Sequence, residues 1–157
     1  MRLSLALPLS LSMLLTTHWC LAQTVSAAPQ APRAGTFKQV QGETWIGATD
    51  ARRAPTPGEG MHEAERVSTG STGAATITLR DGTVITLGPN TTVDLNKFQF
   101  DATTQKGNFA LDLLQGSVRV ITGLLAKINP DLFKVTTPTT VVGVRGTDFI
   151  VEASATQ

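Results

Sequence analysis

Short alternations of apolar and polar residues, broken by Gly and Asp-Gly, run along the chain from about Thr36 to Val151. No stretch there sustains a helical period, so the pattern predicts strands. The plainest pair flanks Arg80-Asp81-Gly82, with Ile77-Thr78-Leu79 before it and Ile85-Thr86-Leu87 after it. A two-residue Asp81-Gly82 loop would leave the apolar residues of the two arms on opposite faces. A three-residue loop with Gly82 in the left-handed conformation sets Ile77 against Ile85 and Ala75 against Leu87, and this is the register expected. From Phe109 to Ile121 a two-residue Gln115-Gly116 loop is expected to pair Leu113 with Val118, Leu111 with Val120 and, on the other face, Asp112 with Arg119. Phe37, Val40 and Thr44 to Ile46 predict an opening strand or hairpin around Gln41-Gly42, and further strands are expected at Val93 to Phe100, Leu132 to Thr136, Val141 to Val144 and Asp148 to Val151. Ala48 to Gly60, with Pro55 and Pro57, reads as a solvated loop, and Gly123 to Asn129 as a helical turn that Pro130 ends. The fold class expected is all-β, short strands in hairpins forming either a solenoid-like stack or a two-sheet sandwich.

The first residues follow a different pattern. Met1-Arg2 gives a positive start, Leu3 to Leu15 carries no charge, and Thr16 to Ala22 is more polar and ends in Cys20-Leu21-Ala22. This is the plan of a cleavable signal peptide over residues 1–22, with cleavage before Gln23. A membrane anchor would need about 20 predominantly apolar residues, and Pro8, the serines and His18 interrupt this run. Trp19 stands where a lipoprotein signal places a small residue before its cysteine, so no lipid is expected on Cys20. Residues 23–35, with two prolines and little hydrophobic bulk, read as a flexible leader. The domain itself is expected over 36–152, with a tail over 153–157. Localisation is expected to be periplasmic or secreted.

Composition sharpens this picture. Removing the first 22 of 157 residues leaves 135, enough for one domain, and 22 of those are the β-branched threonine, which favours strands. The same removal takes away Cys20, so no disulfide or thiolate metal site can form and packing must supply the stability. It also takes away Arg2, leaving 12 basic against 12 acidic residues, without the basic excess that phosphate neutralisation needs. No nucleic-acid partner is expected, nor a membrane span after cleavage.

Catalytic chemistry finds little support. His62, the one histidine after the leader, has Arg66 where a zincin helix would have its second histidine. A Ser-His-Asp site would rest on His62 alone, with Asp50 or Asp94 as orienter and no nucleophile elbow. No catalytic residue, metal site or cofactor is expected. Gly143-Val144-Arg145-Gly146-Thr147 could be drawn as a phosphate cradle, but a strand follows it rather than a helix N-terminus. Arg145 is read instead as a structural clasp sending several donors to carbonyls or a carboxylate, with an exposed partner contact as the other reading. Trp45, Phe98 and Phe100 are the aromatic candidates for a ligand platform, and core packing is the default for the last two, which share a face. Trp45 and Arg145 are the candidate partner-binding residues.

In order along the chain stand Val67-Ser68-Thr69-Gly70, Leu79-Arg80-Asp81-Gly82, Leu87-Gly88-Pro89-Asn90-Thr91, Leu114-Gln115-Gly116-Ser117-Val118-Arg119, Phe133-Lys134-Val135-Thr136-Thr137-Pro138 and Gly143-Val144-Arg145-Gly146-Thr147-Asp148-Phe149. This succession resembles the FecR domain, an all-β extracytoplasmic module, over about Thr36 to Val151. The resemblance implies the periplasmic half of an anti-sigma regulator, which senses the loaded state of a TonB-dependent transporter and relays it through a membrane helix. A cleavable signal is expected here in place of that helix and its cytoplasmic segment. The expected function is therefore the module alone: a non-enzymatic sensing or partner-binding domain of the bacterial envelope, its partner an envelope protein or glycan. The alternatives are a structural cell-wall glycan binder, which calls for an exposed aromatic platform, and a hydrolase, which calls for His62 in a pocket beside a hydroxyl and a carboxylate.

Overall fold

The computed structural model describes residues 32–144 and 148–154. The expected signal peptide, the leader as far as Ala31, and Arg145 lie outside them. The described chain folds as β1 (Arg33–Gln41), β2 (Thr44–Ile46), β3 (Gly60–His62), β4 (Glu65–Thr69), β5 (Ala74–Leu79), β6 (Val84–Leu87), β7 (Thr92–Asp101), β8 (Lys106–Ile121), α1 (Leu124–Ile128), β9 (Phe133–Thr136), β10 (Val141–Gly143) and β11 (Asp148–Ala153). Single 3-10 turns occupy Thr49–Ala51 and Pro130–Leu132. Strand β1 opens inside the stretch read as leader, because Ala34 is buried and Arg33 and Gly35 pair with β3. No helix among the described residues is long and apolar enough to cross a membrane.

The fold is all-β. A solenoid-like stack and a two-sheet sandwich are both open from the sequence; the strand pairing describes one strongly curled, mostly antiparallel sheet, an open half-barrel around its own core. Its spine is β8. The first half of β8 lies between β7 and β9, and β4 and β2 continue beyond β7 while β10 lies beyond β9. The second half lies between β6 and β11, with β5, β1 and β3 continuing beyond β6. Among the described strands one pair is parallel, β8 with β9, and it requires a crossover. Helix α1 and the 3-10 turn provide it, and α1 buries Leu125 and Ala126 on the way.

The register around Arg80-Asp81-Gly82 is the expected one, with Ile77 opposite Ile85, Ala75 opposite Leu87, and Gly82 at φ +87°. Asp81, buried in that loop, takes hydrogen bonds from the backbone and hydroxyl of Thr83 at 3.0 and 2.7 Å, and its carbonyl accepts the Leu124 N–H at 2.9 Å. The loop thereby anchors the start of α1.

The hairpin expected at Gln115-Gly116 does not form. Leu113 lies opposite Val93, Val118 opposite Leu87 and Val151, and Asp112 opposite Asp94 and Thr136. Arg119 grips Asp148 rather than Asp112. Gly116, at φ +89°, bends β8 where a turn was expected to reverse it. The physical reason lies in the faces: Leu111 and Leu113 are buried at odd positions, Val118 and Val120 at even ones. Either a hairpin or a bend at a left-handed glycine produces that change of parity. Strands β6 and β7 offer both halves better partners than each other, and Thr91 completes the bend, its hydroxyl accepting the Ser117 N–H at 3.0 Å.

Candidate functional site

A curled sheet that does not close has edges, and this one treats them unequally. The β2 edge is covered by the chain's own backbone, since Ile46 and Arg53 exchange both hydrogen bonds at 2.8 and 3.0 Å. At β3 the His62 N–H is taken by the Glu65 carboxylate at 2.8 Å. Strands β10 and β11 differ. They are separated by a connection of only four residues, 144–147, yet β10 pairs with β9 and β11 with β8, and neither pairs with the other. Between them runs a groove of about 530 Å³, lined by Thr140, Val142, Val144, Phe149, Val151 and Glu152 among others.

The alternation of antiparallel hydrogen bonding says which groups face this seam. Thr137 and Thr140 exchange backbone bonds across the β9–β10 turn, so Val142 bonds to Val135, while Val141 and Gly143 direct their N–H and C=O groups outward. On the other side, the carbonyl of Ser117 accepts from Gly88 on the β6 flank. Val118 and Val120 therefore bond to Val151 and Phe149, and Asp148, Ile150 and Glu152 present their backbone groups to the seam. The side chains of Val142, Phe149 and Val151 turn against the core. Among the described residues neither edge has a backbone partner, and two such edges over an apolar floor are the geometry that accepts an added strand.

Arg119 holds Asp148 bidentately, Nε to Oδ1 at 3.0 Å and Nη2 to Oδ2 at 2.5 Å. Hydrogen bonding to Arg119 lowers the carboxyl pKa of Asp148, and the same bond raises that of Arg119. The sequence profile of the FecR protein family matches residues 65–157, which is β4 through β11 and the whole seam. The chain belongs to the FecR family. No curated protein and no solved structure matches it. Strands β1 to β3 precede the matched part of the FecR region, although likeness was expected from about Thr36; they complete its sheet by pairing β1 onto β5.

The candidates read from the sequence fall elsewhere on the FecR fold. Trp45 sits on β2, at the far edge of the half-sheet that ends in β10, half-buried with the Arg52 guanidinium 5.6 Å above its ring. Arg145 lies outside the described residues. Phe98 is buried and lies under the Arg80 guanidinium at 5.7 Å, and Phe100 is half-buried beside it. Both border a second groove of about 740 Å³ that Asp101, Lys106 and Asn108 also line. His62 holds the Glu65 carboxylate, Nδ1 to Oε1 at 3.4 Å, so its neighbour is part of an edge cap. Asp94, the other proposed orienter, is clamped by Arg66 through two bonds of 2.6 Å, and that bond raises the Arg66 pKa. Among the described residues, no group of three or more His, Cys, Asp or Glu could hold a metal. The seam residues were legible as strands but not as a site. Their signal is Asp148-Phe149-Ile150-Val151-Glu152, where three consecutive apolar residues on an edge strand leave Ile150 without a face of its own.

Proposed function

We propose that the chain is an exported, non-enzymatic sensing module of the bacterial envelope that binds a partner protein in the seam between β10 and β11. The observation that carries this reading is the seam itself: of the edges described, these two alone present backbone groups to a shared apolar groove, while β2 and β3 are covered by the chain's own atoms. Membership of the FecR family supports a sensing or regulatory role over a catalytic one. The first 22 residues support export to the periplasm or beyond. A glycan binder is less well supported, because the core and Arg80 cover Phe98 and Arg52 covers Trp45.

A photo-cross-linking amino acid at Val142, expressed in the native host, tests the reading. It should give a covalent adduct with another envelope protein, and the same group at exposed Gln39 should not. Fractionation with N-terminal sequencing of the product should find a chain starting near Gln23. Equal labelling from both positions, or a chain retained in the cytoplasm, overturns the proposal.

A further inference from the structure

Strand β11 is the longer edge of the seam, and its outward residues form a pattern. Asp148, Ile150 and Glu152 direct backbone groups to the seam and side chains to the outer face, where Ile150 is 65% exposed between two carboxylates. Asp148 has Arg119 as its partner; Glu152 lies opposite Ser117, and among the described residues no cation pairs with it. Charges alone would guard an edge against aggregation, but an exposed isoleucine between them does not fit a guard.

We infer that the seam takes one extended segment of a partner protein, laid antiparallel along β11, with Lys or Arg opposite Glu152 and Asp148, an apolar residue beside Ile150, and small apolar residues turned in against Phe149, Val151 and Val142. The inference rests on the reading of the chain as a partner-binding module and specifies the chemistry of the partner. Backbone pairing supplies the affinity, and the alternating side chains supply the selectivity. A second copy of this chain fits less well. Only pairings of even with even residues satisfy both the hydrogen-bond alternation and the inward face, and the fullest of these, centred on Ile150, sets Asp148 against Glu152 twice. Glu152, the carboxylate with no cation beside it among the described residues, leaves the edge a place for a basic residue, and a second copy, whose Asp148 is already held by Arg119, does not supply one.

The test uses the chain without its signal peptide and a fluorescein-labelled peptide, Ac-TKVVVKT-NH2, whose lysines and central valine match the spacing of Asp148, Ile150 and Glu152. Fluorescence anisotropy at low salt should show saturable binding. Affinity should fall by at least about tenfold for three changes: N-methylation of the central valine, replacement of both lysines by glutamate, and Glu152→Lys in the protein. Ile150→Pro should do the same with little change in melting temperature, because the N–H it removes lies off the β8 ladder. If that variant melts early, the N-methyl peptide on the unaltered protein carries the test. No binding at about millimolar peptide, equal binding of the N-methyl peptide, or a dimer of the protein that Ile150→Pro dissolves would each overturn the inference. An adduct from Val142 with no peptide binding would sink the inference and leave the module; peptide binding with no adduct in the host would do the reverse.

Discussion

Arg119 reaches Asp148 across the β8–β11 ladder with both side chains about half exposed, so their ion pair is screened and salt-dependent. Its effect on stability has a definite sign. The folded pKa of Asp148 is lowered by the hydrogen bonds from Arg119, so the pair stabilises β11 at pH values above the unfolded pKa and loses that contribution as the pH falls through the folded one. Arg119→Gln should therefore melt earlier than the unaltered protein at neutral pH, and the difference should close as acid protonates Asp148. Asp101, also lowered, by the backbone N–H groups of Thr104 and then Thr103, is present in both proteins and cancels. Melting curves over a pH series at low and high salt check this; a difference that persists in strong acid contradicts it.

The bend in β8 marks where the elements could and could not be read from sequence. Gly82 and Gly116 both have positive φ, near +87° and +89°, but a Cβ on Gly82 would meet open space, whereas one on Gly116 would run into Thr91 and the Asn90 carbonyl. Gly82→Ala should cost only the backbone strain, about 1 kcal/mol. Gly116→Ala adds a steric clash and should cost about 2–4 kcal/mol, with roughly 4 °C of melting temperature lost per kcal/mol. Thermal denaturation of both variants compares them directly; equal losses would place the strain elsewhere. The β5–β6 hairpin was legible because only one loop length puts Ile77 and Ile85 on the same face. Gln115-Gly116 was not, because a turn and a bend change parity alike, and the choice depends on Val93 and Leu87, residues distant in sequence. The seam was illegible for a related reason: the segment Asp148–Ala153 reads as a strand, but which edge stays uncovered is a property of the completed sheet.

At the scale of the molecule, the family region and the folding unit differ. The matched region begins at Glu65, yet Phe37 on β1, Ile46 on β2 and Met61 on β3 are all buried in the common core. Each contributes about 1.5–3 kcal/mol of burial, and together they approach the whole stability of a small domain, about 5–15 kcal/mol. A chain starting at Glu65 should not fold by itself: size-exclusion chromatography should find it aggregated, and circular dichroism should show no cooperative melt. A monomeric, sharply melting product would assign β1 to β3 a peripheral role.

Strand β8 has four neighbours, β6, β7, β9 and β11, and belongs to both halves of the sheet. Neither half retains a complete ladder once that strand is withdrawn, so there is no separable subdomain to melt first, and the domain should unfold as one all-or-none unit. Assembly carries the converse cost. The partners of β8 come from before and after it in the chain, so its loops must close before its contacts form, and folding belongs with slow, high-contact-order β proteins rather than with the hairpins it contains.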